Sequence, residues 1–259
     1  MISLEDKKFF WNNGYLIVRD FYQQDHDKLD YIKNTVLQKI SAEYKSFSSG
    51  GFETIVGSYY PNKIDLYTYF TKNKKVIQLL DQIFECNMTL DHSKLPRKLS
   101  GTGGFLPHQD AWYWQHTPWY SSVKRTASVF IALEDTSIES GCPQIYEQSH
   151  HEILPHYKTN YEITSNLQFK KVDIVLKKGD ILIFHGNTIH SSEKNNSDST
   201  RIILIGCYNA EQDTKRETRQ RYLDSDKIDF TSLILPDTGF DVVNEKDLGE
   251  KLSLTCLHT

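Results

Sequence analysis

Cysteine is scarce: Cys86, Cys142, Cys207 and Cys256 are the four in 259 residues. They lie far apart and no two form a CxxC pair. That spacing does not suggest a zinc site or a disulfide scaffold, and it fits a reducing, cytoplasmic setting. Excess positive charge is also lacking. Lysine and arginine total 30 against 34 acidic residues, a net charge of −4, so no basic surface argues for a nucleic-acid partner. No apolar run approaches the length of a membrane-spanning helix. The opening MISLEDKKFFWNNGYLIV has no basic segment followed by a long apolar run, so no secretory leader and no membrane partner are expected. Internal repeats, low-complexity tracts and convincing linkers are missing too. What remains is 38% hydrophobic and 25% charged, a composition that supports a packed core in a single domain.

Residues 3–13 read as a short helix stopped by Asn12-Asn13-Gly14, with Tyr15 to Val18 as a strand after it. Leu29, Ile32, Val36 and Ile40 give residues 24–45 one apolar helical face, and Ile77, Leu80 and Phe84 do the same for 74–84. Beyond residue 88 the pattern changes to short apolar runs between turn signals: Ser128 to Leu133, Val172 to Leu176, Ile181 to Phe184 and Ile202 to Tyr208. Lys177-Lys178-Gly179-Asp180 reads as a hairpin turn between two of them. The expected architecture is N-terminal helices over about 1–87 and a β-sandwich or barrel over about 88–209. Residues 210–259 are charged and mixed, and they carry no assignable role.

His108-Gln109-Asp110 is the one His-x-Asp in the chain. Alternate side chains of an extended segment point the same way, so His108 and Asp110 can face one point. A second imidazole from elsewhere would complete a facial triad with three open coordination positions. An isolated HxD is more often a pair of solvated side chains, so the second half of the chain matters. There Gly179-Asp180 opens a strand, and a turn leads to Thr188-Ile189-His190-Ser191-Ser192. Eleven residues beyond His190, Arg201 opens the strand to Tyr208. Alternation puts Arg201 on one face with Ile203, Ile205 and Cys207. A cation on an apolar inner face needs an anion, and guanidinium binds carboxylate in a bidentate fork. A surface acid beside an outward-facing Arg201 is the competing explanation.

In this order the motifs resemble the phytanoyl-CoA dioxygenase family. The resemblance spans residues 9–209. It includes the opening Phe9 to Val18, Leu133-Glu134-Asp135, Glu139-Ser140-Gly141-Cys142-Pro143, Gln148-Ser149-His150 and the Gly-Asp-x-x-x-Phe-His run ending at His185. It implies a mainly β protein with flanking α-helices, built on a double-stranded β-helix (jelly-roll, cupin-like) core. It implies iron ligands at His108, Asp110 and His190, with Arg201 and Ser192 on the distal carboxylate of 2-oxoglutarate. Ser140 to Gln144 and Glu147 to His150 depart from the family's usual turn and leave a loop near the site open. His150, His151 and Glu152 match a structural turn. His185 matches a non-ligand position, and His92 and His116 read as ordinary core or surface histidines.

The implied activity uses Fe(II), 2-oxoglutarate and O2. It oxidises a C–H bond of a small-molecule substrate, by hydroxylation or by desaturation or ring closure, and releases succinate. A carboxylate at position 110 argues against halogenation, since related halogenases carry a small residue there. Trp112, Trp114 and Trp119 follow the iron motif and are candidates for the substrate site. Lys124 and Arg125 could attract an anionic group, although a solvated face accounts for them as well. Two other readings stay open: a jelly-roll metalloenzyme that does not use 2-oxoglutarate, such as an isomerase or lyase, and a non-catalytic binding protein on the same fold. Arg201 separates the first from the oxygenase, and iron content separates the second.

Overall fold

The computed structural model describes residues 2–43, 46–49, 52–57, 69–101, 103–156, 163 and 167–218. Most of the 210–259 segment, Cys256 included, lies outside these residues, as does the end of the helix expected over 24–45.

Helix α1 (Leu4–Asn13) begins where Ser3 accepts from the Asp6 amide and Asp6 accepts from the Ser3 amide, a capping box. It ends at Gly14, whose φ of 86° lets its N–H return to Phe10 O. Strand β1 (Tyr15–Val18) follows, then α2 (His26–Glu43), β2 (Ser46–Ser49), β3 (Phe52–Gly57) and α3 (Lys74–Phe84). The rest of the chain is mainly β: β4 (Met88–Lys98), β5 (Phe105–His108), the short helix α4 (Asp110–Trp114), β6 (Thr126–Ala132), β7 (Pro143–Tyr146), β8 (Lys171–Asp173), β9 (Ile181–His185), β10 (His190–Ser192) and β11 (Arg201–Ala210).

The strands form two antiparallel sheets: a seven-stranded one ordered β1-β9-β6-β11-β4-β3-β2 and a four-stranded one ordered β5-β10-β7-β8. Leu29, Ile32, Val76, Leu80 and Ile83 of the helices pack on Val129, Ile131, Ile181, Ile183, Ile202 and Leu204 of the large sheet. The inner face carries the alternate residues. Ile203, Ile205 and Cys207 pack with Ala111, Trp114 and Trp119, while Leu182 and Phe184 pack with Ile145 of the small sheet. Burial of both faces explains why β11 is buried at all ten positions.

Three expectations need correction. The sheets do not begin at residue 88, because β1 and the β2–β3 pair supply both edges of the large sheet. The strand expected over 172–176 covers only Lys171–Asp173; Ile174 and Leu176 are buried outside any strand. The turn before Asp180 is not a hairpin, since β8 and β9 belong to different sheets. Asp180 instead anchors the crossing. Its buried carboxylate accepts from Arg19 at 2.6 Å and from the backbone amides of Asp20 and Lys177, each at 2.8 Å.

Candidate metal and 2-oxoglutarate site

Strand pairing brings the two histidines together. His190 of β10 lies directly opposite His108 of β5, and their ring centroids are 4.1 Å apart. Asp110 starts α4 immediately after Gln109, whose extended backbone (φ −125°, ψ 122°) keeps the carboxylate on the same side as His108. One ligand atom from each of His108, Asp110 and His190 lies within 4.8 Å of the others. His190 Nε2 and Asp110 Oδ1 are 3.8 Å apart.

The donor chemistry suits a divalent cation. His108 Nδ1 donates to Leu106 O at 2.7 Å and His190 Nδ1 to Thr188 O at 3.1 Å, so each ring turns its Nε2 lone pair inward. Burial first, and His190 second, push the His108 imidazole down to about 3; burial also lowers His190. Both rings are therefore neutral near pH 7 and able to ligate. Burial pushes the Asp110 carboxyl up, but His190, Lys94, His108 and the Ser128 hydroxyl outweigh it and hold it ionised below its ordinary range.

Gln109, fully buried between His108 and Asp110, shows why this residue type sits there. Its side-chain amide donates to the carbonyls of Glu152 and Asn187, and its carbonyl accepts from Leu154 N–H at 2.8 Å. Its own N–H donates to His156 Nε2 at 3.2 Å. One side chain thus ties the His108–Asp110 segment to the 152–156 loop and to the turn before β10.

Arg201 is 5% exposed and faces inward, as alternation requires. Its Nη1 donates to Gly141 O, and its buried Nε has no partner among the described residues. No ion pair to Arg201 is found among them either. Directly opposite on β4 lies Lys98, fully buried. Lys98 Nζ donates to Ser192 Oγ at 2.8 Å, to Gly141 O at 3.3 Å and to Glu193 O. Two inward cations, a hydroxyl and an orphaned guanidinium nitrogen make a cradle for an anion. Gly141 belongs to it by necessity. Its φ is +66°, and a Cβ there would stand 2.3 Å from Glu193 O and 2.8 Å from Lys98 Nζ. The departing turn around 140–144 is therefore the floor of this cradle.

Lys98 was not foreseen. Only the register of β4 against β11 brings it to Arg201. Lys94 and Lys98 lie on one face of the strand and Leu95 on the other, a pattern that in the sequence alone reads as a solvated lysine face. Tyr113, in the aromatic stretch that follows His108-Gln109-Asp110, has its ring 6.0 Å from that of His108. The tryptophans divide. Trp112 stacks on His156, centroids 4.8 Å apart, beside the His108–Asp110 segment. Trp114 and Trp119 are buried in the cluster with Ile203 and Ile205, so their ring faces are occupied by packing.

Three further histidines are tied into the fold by hydrogen bonds. His150 Nε2 donates to Trp11 O at 3.0 Å, and His185 bonds Lys124 O at 2.9 Å and the Asn187 amide at 3.0 Å. His92 is buried against Asp91 at 2.8 Å. Arg125 pairs with the buried Asp213 at 2.5 Å, which gives the start of the 210–259 segment a role in closing the Trp119–Arg125 loop.

The profile of the phytanoyl-CoA dioxygenase (PhyH) family matches residues 10–203, three-quarters of the sequence. The chain belongs to this family. Among relatives of the family, the dioxygenase lolE1 of Epichloe uncinata is 27% identical over 225 residues, 80% of this chain and 82% of that protein. Two solved structures share the fold. The epimerase SnoN in complex with Fe3+, alpha ketoglutarate and nogalamycin RO superposes with a TM-score of 0.68 at 17% identity, over 80% of this chain and 82% of SnoN. EctD from S. alaskensis with 2-oxoglutarate and 5-hydroxyectoine gives 0.67 at 16%, over 82% and 77%. The two-sheet jelly-roll is therefore the fold of non-haem iron enzymes that work with 2-oxoglutarate. No helix among the described residues is long and apolar enough to cross a membrane.

Proposed function

We propose that the protein is an Fe(II)- and 2-oxoglutarate-dependent dioxygenase. It oxidises a C–H bond of a small-molecule metabolite, by hydroxylation or by desaturation or ring closure. His108, Asp110 and His190 hold the metal. Arg201, Ser192 and Lys98 hold the distal carboxylate of 2-oxoglutarate. The observation that carries this reading is the pairing of the His108–Asp110–His190 cluster with a buried Arg201, on the inner face of the same barrel, that has no ion pair among the described residues. An isomerase or lyase has no fixed need for that arginine.

Iron, 2-oxoglutarate and O2 supply an oxidant strong enough to take hydrogen from carbon, with 2-oxoglutarate leaving as succinate and CO2. The chain's own residues do the rest. Leu106 O and Thr188 O fix the tautomer and aim of the two imidazoles. Arg201 and Lys98 orient the cosubstrate by its far end, and the apolar walls Phe130, Ile203 and Ile205 exclude water from its chain. Trp112 and Tyr113, next to the ligands, border the place where the substrate C–H must lie.

Succinate formation tests this directly. Protein reconstituted with Fe(II) and ascorbate should convert 2-oxoglutarate slowly alone. It should do so faster with the matching compound from a panel of amino-acid-like, terpenoid and acyl molecules. A protein that binds Fe(II) but forms no succinate under any of these conditions contradicts the reading.

Lys98 adds a pH signature. Burial first, then Arg201, lowers its ammonium to about 7, with Cys142 and Glu193 pulling the other way. Below that pH it is charged and attracts the carboxylate; above it the free protein must take up a proton to bind. Affinity for 2-oxoglutarate should therefore fall as pH rises through about 7 to 9, by at most tenfold per unit. Lys98→Met should flatten the profile and weaken binding most at the acid end. Anaerobic calorimetry across pH reads both, and a wild-type profile that is already flat rejects the assignment.

A further inference from the structure

The two oxygens of Asp110 have different surroundings. Oδ1 lies 3.8 Å from His190 Nε2, one of the two imidazoles of the cluster. Oδ2 accepts a 2.5 Å hydrogen bond from Ser128 Oγ. Ser128 is fully buried in the middle of β6, between Cys207 of β11 and Phe184 of β9. The next side chains along this inner face are Phe130 and Ala132, both packed with apolar neighbours. A buried hydroxyl in such a place is costly unless it is hydrogen-bonded. Its one proton goes to Asp110; its other polar neighbour, Cys207 Sγ, is 3.9 Å away.

We propose that Ser128 is a positioning residue that makes Asp110 a one-oxygen ligand: its hydroxyl engages Oδ2, so that Oδ1 alone faces the metal. The inference rests on the reading of His108, Asp110 and His190 as the metal ligands. Its consequence is a count. Two imidazoles and one carboxylate oxygen leave three of six coordination positions open. A 2-oxoglutarate chelate fills two and O2 needs the third. A carboxylate binding through both oxygens would take a fourth position, and the cosubstrate would then leave none for O2. Ser128 thus guards the position that dioxygen needs, from a strand that carries no ligand.

The test uses Co(II), whose visible absorption reports coordination number, with the wild type, Ser128→Ala, Ser128→Thr and His108→Ala. Ser128→Ala should bind Co(II) roughly 10- to 100-fold more weakly, the usual range for a lost outer-shell partner. Its Co(II) spectrum should differ from the wild type, and adding 2-oxoglutarate should change it less. Ser128→Thr keeps the hydroxyl and should restore affinity and spectrum. A Ser128→Ala protein identical to the wild type in affinity and spectrum overturns the proposal. Equal losses in Ser128→Ala and Ser128→Thr overturn it too, because packing rather than the hydroxyl would then matter. If circular dichroism shows that Ser128→Ala does not fold, Ser128→Cys, nearly the same size with a weak donor, carries the same comparison. His108→Ala separates the two levels. If it holds Co(II) as the wild type does, the triad itself is wrong. If it loses Co(II) while Ser128→Ala keeps it, only the role of Ser128 fails.

Discussion

His108→Ala and His190→Ala proteins are expected to retain no stoichiometric Fe(II) after anaerobic reconstitution and desalting, and to form no succinate. Each change removes one of three candidate ligand atoms that lie within 4.8 Å of one another. The loss should exceed the 10- to 100-fold typical of removing a partner behind a ligand. The remaining imidazole would still be aimed by its backbone carbonyl, so two correctly placed ligands would persist without the third. The fold should survive. His108 ends β5, an edge strand of the small sheet, and alanine at 190 leaves the β10 pairing to β7 through Ser191 and Ser192 intact. Metal content by elemental analysis, with far-ultraviolet circular dichroism as the folding control, reads the outcome. Wild-type iron in both variants would remove the ligand assignment.

Arg201→Ala should bind 2-oxoglutarate far more weakly while holding the metal as the wild type does. Truncating one side of a buried, charge-assisted contact costs roughly 2–5 kcal/mol, or about 30- to 4,000-fold in affinity. Burial lowers the guanidinium to about 10, so it is charged throughout the working range and its loss removes a full charge. Arg201→Lys should not rescue binding, because a point ammonium cannot make the bidentate fork. Ser192→Ala should show a smaller effect, since Lys98 and Arg201 remain. Anaerobic calorimetry with Fe(II)-loaded protein measures each step. Equal 2-oxoglutarate affinity in Arg201→Ala and wild type would rule out its role.

Much of this site was legible in the linear chain because its signals are local. Two-residue spacing in His108-Gln109-Asp110 survives folding, since Gln109 stays extended up to the start of α4. Arg201 shares a face with Ile203, Ile205 and Cys207 because β11 runs straight over those positions. The helices were legible for the same reason: α1 has its Asn12-Asn13-Gly14 stop, and α3 repeats apolar residues at helical spacing. The misses are non-local. Lys98 reaches Arg201 only through the register of two strands a hundred residues apart. Nothing in the sequence near Gly141 says that its carbonyl will meet both cations. Ser128 reads as one polar residue in an apolar strand until Asp110 is folded against it. The run to Leu176 looked like a strand because buried apolar residues need not be in a ladder. Lys177 to Asp180 looked like a hairpin because turn chemistry does not reveal which sheet the next strand joins. Trp114 and Trp119 looked like a binding surface because aromatic clusters serve cores and sites alike.

The central claim is that one metal, held by His108, Asp110 and His190, is chelated by a 2-oxoglutarate whose far end rests on Arg201. Anaerobic titration of the wild-type protein with Fe(II) and then 2-oxoglutarate tests it most directly. A weak visible charge-transfer band should grow to saturation at one equivalent of each. It should be absent when either component is omitted, and absent in His190→Ala. A protein that gives no band with both components present, or gives the same band without His190, contradicts the account.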